Sequence, residues 1–423
     1  MLKKLSASMR MHARNKHIGL LMVMFVAVVI AFVVGFAARS NLQLMQTLGI
    51  QTHEGSEQST SSANAKTTYD ALSARIGEVE DILAAYSMDN IELQDATKLM
   101  LANLMESTQD PYATYFNSEN YENYIKETAD KPYSGIGVLF GDYDGRAYVV
   151  DVLDGSEAQA RGVTQGDFVE AIDGDSSHKW STIEVIGALA REDGANVIIT
   201  WMRPISLDAT RGTEFTTTLS CHNYTEQNVT YELSENVGYI RLRQITSNAS
   251  DLVEQAVKDL TAQGAQAFVL DVRDNPGGYL TQALDTASLF IQSGVLVGIE
   301  TKDGTTTRNA SGETISAAPM VVLVNEYTCA ATEVLAAAMK DNQRAAIVGQ
   351  TTMGKGSVQV VRELTFGGAV RYTAGYYLTP LGHAINGVGV IPDIAVADDP
   401  QDPENDNQLS VAYDVARSLI GEQ

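Results

Sequence analysis

VVLVNEYTCAATEVLAAAMKDNQRAAIVGQTTMGKGSVQ, residues 321–359, is the stretch on which the fold turns. Val321 to Val324 is an uninterrupted apolar run and predicts a buried strand. Asn325 to Thr328 is a turn, and Glu333 to Lys340 spaces its apolar residues as a helix does, so Cys329 to Thr332 falls at a strand-to-helix elbow. Elbows expose side chains and aim backbone N–H groups at one spot, which suits a nucleophile. The stretch ends near Met353-Gly354-Lys355-Gly356, where the flanking glycines permit a tight backbone and close approach.

Outward from this stretch, strands such as VGYIRL, AFVLDVR and MVVLVN alternate with helical segments Ala249 to Gln263, Leu280 to Ile291 and Ala331 to Asp341. That alternation predicts an α/β core with a largely parallel sheet. Between Tyr133 and Pro204 short β-branched runs (AYVVDVL, DFVEAIDG, NVIITWM) are punctuated by Gly and Asp-Gly turns, which predicts a small, mostly β module. From Tyr69 to Glu106 the apolar positions recur at helical spacing and predict two helices split around Tyr86 to Asn90. Gln51 to Thr68 is polar and Ser/Thr-rich, and reads as a flexible stalk. After Ile394 the chain turns acidic, with a short apolar helix, Leu409 to Ile420, to dock at the end.

At 423 residues and 44% hydrophobic content the chain is long enough for two or three cored domains. A formal net charge of -24 argues against nucleic acid as a partner, because phosphates would be repelled. Ile18 to Ala38 is an uncharged run of a length that spans a bilayer as a helix. Lys3, Lys4, Arg10, Arg14 and Lys16 precede it, so the positive-inside rule puts the N-terminus in the cytoplasm and the bulk outside, at the cell membrane as a single-pass protein. A cleaved signal peptide competes with this reading, since Phe36-Ala37-Ala38 is rich in small residues, but the run exceeds the ~7–15 residues of a signal peptide's apolar region. Cys221 and Cys329 are the two cysteines, far apart in sequence, so cores rather than a disulfide framework must supply stability.

Ser/Lys hydrolysis needs a hydroxyl nucleophile, an amine that takes its proton, and backbone N–H donors for the oxyanion. Lys355 is a candidate amine, Gln359 a candidate partner that fixes it without adding charge, and the glycine pair of DVRDNPGG, Asp271 to Gly278, a candidate oxyanion donor. Singly each has a plainer reading as a surface turn or a loop; their combination is what carries weight. The six histidines are scattered without ligand spacing and GxxxxGK[ST] is absent, so the sequence predicts no metal site, no phosphate loop and no cofactor.

Together, from about Tyr69 to Ile394, these motifs resemble the carboxyl-terminal processing peptidases, or tail-specific proteases, of peptidase family S41. The family reads DLRxNPGG, LVNxxSASASE, RAxxVGxxTFGKGxVQ and YYTPxGxxIxGxGIxPD; this chain reads DVRDNPGG from Asp271, LVNEYTCAATE from Leu323, RAAIVGQTTMGKGSVQ from Arg344 and YYLTPLGHAINGVGVIPD from Tyr376. The resemblance implies that Lys355 is the general base and Gln359 its support, with oxyanion donors at Gly277, Gly278 and Ala331. The family's nucleophilic serine falls on Ala330. Three explanations compete: a Ser→Ala replacement made to trap substrate or prevent self-cleavage, which the survival of Lys355 and Gln359 favours; a natural pseudopeptidase that binds tails; and a nucleophile displaced to Cys329 or a neighbouring threonine.

Tyr133 to Arg203 resembles a PDZ domain, with Gly135, Ile136, Gly137 and Val138 at the carboxylate-binding loop and GVTQGDFVEAIDG in its middle. This implies capture of peptides or proteins with free, apolar C-termini by a backbone nest and strand addition. Asp110 to Phe116 resembles the family's DPYSxY element, and the resemblance implies for the helices before it either a homodimer contact or a cap on the protease core. Arg191 sits where relatives carry a turn between PDZ and core, as a gate or as a plain surface residue. The implied architecture is an α/β protease core of the ClpP/crotonase-like kind with an inserted PDZ domain, divided as cytoplasmic tail 1–17, transmembrane helix 18–38, stalk 39–68, helical region 69–132, PDZ 133–204, protease core 205–395 and acidic tail 396–423.

Overall fold

The computed structural model describes residues 59–88, 92–118, 120–121, 135–224, 227–310, 312–398 and 405–421. The expected cytoplasmic tail, transmembrane helix and first part of the stalk lie outside the described residues. Among the described residues no helix is long and apolar enough to cross a membrane. The chain divides into two compact units, one up to Ile91 and one from Glu92.

The first unit contributes α1 (Ser59–Tyr86). It begins ten residues before the expected Tyr69, so the end of the expected stalk is helical. No Gly or Pro between Ser59 and Tyr69 breaks a helix, which is why a polar composition does not prevent one. Leu72, Val79, Ile82 and Leu83 form an exposed apolar stripe on it.

The second unit opens with α2 (Leu93–Glu106) and is built on three sheets. A five-stranded antiparallel sheet runs in the order β2 (Val138–Tyr143), β3 (Arg146–Val152), β4 (Phe168–Ile172), β5 (Asn196–Pro204), β6 (Gly212–Ser220). It carries α3 (Glu157–Ala160) and α4 (Thr182–Leu189), the latter started by a capping box between Ser181 and Glu184. The module therefore reaches Ser220 rather than the expected 204, because β6 pairs with β5 along its whole length, from Gly212 opposite Pro204 to Ser220 opposite Asn196.

A six-stranded sheet runs β16 (Ile394–Ala395), β13 (Ala346–Gly349), β12 (Met320–Val324), β9 (Ala267–Asp271), β8 (Val237–Leu242), β7 (Val229–Ser234). All its pairs are parallel except β7 with β8, which a tight hairpin joins. α5 (Ala249–Gln263), α6 (Leu280–Ser288) and α7 (Ala331–Asp341) cover one face, packing on Leu270, Val322, Val324 and Ile347. The alternate residues Val269, Val321, Leu323 and Val348 face α8 (Asn407–Ile420), which buries Ala412 and Ala416 against them. Strands covered on both faces must be apolar throughout, as MVVLV is. The expected acidic tail thus ends in a structural helix that completes the core.

The sequence predicts one largely parallel sheet for the core, and the structure adds an antiparallel one. Its strands are β1 (Thr114–Phe116), β15 (Ala369–Leu378), β10 (Val295–Thr301) and β11 (Gly304–Asn309), with β14 (Ser357–Glu363) also paired to β15. β14 begins two residues after Lys355 and so anchors that loop.

Leu323→Ala removes a side chain locked between the sheet and α8, and is expected to cost about 2–5 kcal/mol in urea unfolding. Thr306→Ala on the exposed β11 is expected to stay within about 0.5 kcal/mol.

Candidate active site

Because β9, β12 and β13 are parallel neighbours, the loops leaving their C-terminal ends, 272–279, 325–330 and 350–356, meet above one edge of the sheet. Crevices at such edges are where open α/β sheets bind ligands. Ala330 stands at the N-cap of α7 with φ 53 and ψ -119, a positive-φ conformation that costs a non-glycine residue roughly 1–3 kcal/mol. Gly277 presses on it: a β-carbon there would lie 2.9 Å from the Ala330 Cβ and 3.1 Å from the Ala331 amide nitrogen.

The strained elbow is held by Glu333, which is fully buried. Its Oε2 accepts from the amides of Ala330 (2.9 Å) and Lys355 (2.8 Å), and its Oε1 from the Gly354 amide (2.7 Å) and Thr352 Oγ1 (2.5 Å). Burial pushes its carboxyl from the usual 4.5 up to about 7, although all four donors pull the other way. Asn275 makes a second tie. Its Oδ1 accepts from Thr332 Oγ1 (2.8 Å) and the Gly277 amide (3.0 Å), and its carbonyl accepts from the Cys329 amide (2.9 Å). Of the expected oxyanion donors, Gly277 is therefore already engaged.

The three displaced-nucleophile candidates, Cys329, Thr328 and Thr332, are tied up. Burial pushes the Cys329 thiol well above its usual range despite the Lys355 charge, so it stays protonated at neutral pH. Thr328 Oγ1 donates to the Val272 carbonyl (2.9 Å), and Thr332 is committed to Asn275.

Lys355 is brought to the same edge, but its amine points elsewhere. Nζ donates to the Asp142 carbonyl at 3.3 Å, lies 3.5 Å from Asp142 Oδ1, and sits 4.7 Å over the Tyr112 ring. Gln359, expected to fix this amine, instead donates to Ser357 Oγ at 2.8 Å. A cavity of about 510 Å3 opens beside Lys355, lined among others by Tyr112, Tyr143, Asp144, Met353, Tyr376 and Asn386. The DPY element builds its wall: Asp110 accepts from the Thr373 amide (2.6 Å) and hydroxyl (2.9 Å), which sets Tyr112 beneath the lysine.

At the other end of β2, Gly135 and Gly137 are both required by space. A β-carbon on Gly135 would fall 2.6 Å from the Leu189 carbonyl oxygen, and one on Gly137, at φ 79, would fall 2.3 Å from Ser156 Cβ. Ile136 and Val138, expected at the carboxylate-binding loop, are wholly buried in the module's core with Val185 and Leu189 of α4. Arg191 bonds to Asp173, Ala188 and Asn196, all within the module.

Two further ties join module and core: Gln165 Nε2 donates to Asp274 Oδ1 (2.7 Å), and Arg243 pairs with Asp151 (3.2 Å). Behind the site, buried Asp271 is pushed up by desolvation, but Arg241 and Arg273 outweigh this and hold its carboxyl below the usual range. Arg273 reaches on to Asp406 at the start of α8 (2.7 Å). Among the described residues no group of His, Cys, Asp and Glu could hold a metal ion.

Glu333 carries a signal in sequence, three residues after the N-cap in capping-box spacing, but the alanine at the cap hides it. Its raised carboxyl makes ionisation costly in the fold, so its contribution is complete below about pH 4.5 and lost as pH rises through about 7. Glu333→Gln turns an NH2 group toward amide donors; we expect a loss of about 2–4 kcal/mol and removal of this part of the pH dependence, read by denaturant unfolding at pH 5 and pH 8.

A model of peptidase family S41 matches residues 236–396, the span from β8 to β16 that carries Ala330, Lys355 and Gln359. A carboxyl-terminal-processing protease of Picosynechococcus sp. is 34% identical over 336 residues, 77% of this chain and 79% of that protein. The carboxy-terminal processing protease CtpA of Bacillus subtilis is 29% identical, over 72% of this chain and 66% of its own length. A solved structure of a photosystem II D1 C-terminal processing protease aligns with a TM-score of 0.63 at 28% identity, covering 76% of this chain and 86% of that one. With its loops meeting at one sheet edge and a relative of this identity along most of its length, the chain belongs to peptidase family S41, among the carboxyl-terminal processing proteases.

Proposed function

We propose that this chain is the frame of a membrane-anchored Ser/Lys endopeptidase that cuts extracytoplasmic proteins after capturing their free C-termini, silenced as written by Ala330. The observation that carries the reading is the strained elbow at position 330, tied through the Glu333 carboxylate to the backbone of Lys355. Strained backbone of this kind clusters at active sites, where it is part of the mechanism.

In the parent reaction a hydroxyl at position 330 attacks the scissile carbonyl, and Lys355 takes its proton and returns it to the leaving amine. Gln359 orients the amine once Lys355 turns toward it. The amides of Gly278 and Ala331 hold the oxyanion, since that of Gly277 is committed to Asn275. With alanine there is no attacking oxygen, and losing a nucleophile costs on the order of 10⁶ in rate.

The tail-binding role falls to a PDZ-like module. Its support is the antiparallel five-stranded sheet, with β2 at one edge and α4 packed beside it, and the two glycines that open the loop before β2. Membrane anchoring rests on the Ile18 to Ala38 run and the basic residues before it, and self-association on the exposed apolar stripe of α1. A tail-binding scaffold without catalysis is the second reading, favoured by Ala330 itself.

The test compares the full chain in detergent micelles with its Ala330→Ser form on an unfolded protein ending in apolar residues. Cleavage by the Ala330→Ser form alone, abolished by adding Lys355→Ala, is the expected outcome. Absence of cleavage by both, with tail binding retained, overturns the protease reading in favour of the scaffold.

A further inference from the structure

The last turn of α8 pairs at the edge of the parallel sheet where its strands begin: Arg417 Nη1 lies 3.5 Å from Glu235 Oε2, in the turn before β8. The helix therefore runs antiparallel to the strands, and its first residues stand at the opposite edge, where loops 272–279, 325–330 and 350–356 leave. Apolar side chains hold it on the sheet, with Ala412 and Ala416 buried and Leu409 and Tyr413 packed beside them. Asp406 and Gln408, at its start, make a different set of contacts. They reach the loops.

Asp406 grips the first loop. Its Oδ1 and Oδ2 accept from Arg273 Nη1 (2.9 Å) and Nη2 (2.7 Å), the two-pronged geometry in which guanidinium and carboxylate bind most strongly. The same guanidinium donates through Nε (3.1 Å) and Nη2 (2.7 Å) to buried Asp271 at the end of β9. Arg273 thus joins sheet to helix, two residues before the Asn275 that fixes the elbow. Gln408, which is buried, grips the third loop. Its Nε2 donates to Gln350 Oε1 (2.9 Å) and the Val396 carbonyl (2.9 Å), and its Oε1 accepts from Arg273 Nη1 (3.2 Å). Gln350 passes the tie to the second loop, its amide donating to the Val324 carbonyl (3.1 Å) and its Nε2 to Glu326 Oε2 (3.0 Å). A buried amide engaged at both ends admits one orientation, so the spacing of the loops is set along with it.

We propose that Asp406 and Gln408 are positioning residues of the active site, a clasp by which the C-terminal helix holds the three loops in register. Glu333 and Asn275 tie the elbow to its neighbours inside the site. The clasp ties the same three loops where they leave the strands, and so sets where the Gly278 amide stands relative to the elbow. Both residues act through Arg273 and Gln350 rather than on Ala330 or Lys355. The span matched by the family model ends at residue 396, so the clasp comes from chain beyond it. This rests on the protease reading above.

The test separates positioning from stability. Asparagine caps a helix as well as aspartate does, so Asp406→Asn keeps the bond from the Leu409 amide (2.8 Å) that starts α8, while it turns an NH2 group against Arg273 Nη2. Gln408→Met keeps length and burial and removes both polar ends. Each change is made in the full chain in detergent micelles carrying Ala330→Ser, and kcat and KM are measured on a fluorogenic peptide with an apolar, free C-terminus. Each is expected to lower kcat about tenfold and to leave KM within about twofold. Amide hydrogen exchange, read by mass spectrometry in the chain as it stands with Ala330, is expected to quicken about tenfold in 272–279 and 350–356 and to keep the parent rate in β9, β12 and α8.

A kcat equal to the parent's in both variants overturns the proposal, whatever happens to KM. A fall in kcat with equally faster exchange in β12 and α8 overturns it too, because the two residues would then serve the fold as a whole rather than the loops. An Ala330→Ser parent that turns over no peptide is a separate result: it overturns the protease reading, and with it the role given to the clasp.

Discussion

One buried carboxylate holds the site together. Glu333 collects donors from the elbow, from Thr352 and from the loop of Lys355, and so fixes the backbone of Ala330 against that of Lys355. A lone carboxylate in an apolar interior would be expelled or neutralised; here three backbone amides and a hydroxyl offset part of the cost of burial, and the carboxyl is still raised to about 7. The positive φ of Ala330 persists because this carboxylate and the Asn275 amide over-determine it from two sides. Everything else at the sheet edge is arranged around that bond set, including the glycines whose missing β-carbons let loops 277–278 and 354–356 approach.

The core and the β module meet at the same edge through unlike contacts. Tyr148 of β3 stacks near Tyr327 at 6.3 Å, and polar ties run from Gln165 to Asp274 and from Arg243 to Asp151. Lys355 is part of that joint as well as of the candidate site.

The α/β core was legible because its strands are covered on both faces and so must be apolar at every position, as MVVLV and AFVLD are. The elbow and the placement of Lys355 at the same sheet edge were legible through their motifs; the expected contact of Gln359 with the lysine amine is not the one the structure shows. The antiparallel sheet of β10, β14 and β15 was not, because its strands are half-exposed and carry Thr, Arg and Tyr among their apolar residues. The reach of the module to Ser220 escaped because TEFTTTLS becomes a strand only through its pairing with β5. Asp142 and Tyr112 left no local signal of their roles: each meets Lys355 from more than two hundred residues away, and such contacts exist only after folding.

The central claim is that position 330 is a nucleophile's seat. It is tested most directly by treating the Ala330→Ser chain with a fluorophosphonate and locating the adduct by peptide mapping. The account predicts a single stoichiometric adduct at position 330 that Lys355→Ala prevents. An unmodified position 330, or an adduct on another residue such as Ser357, would contradict it.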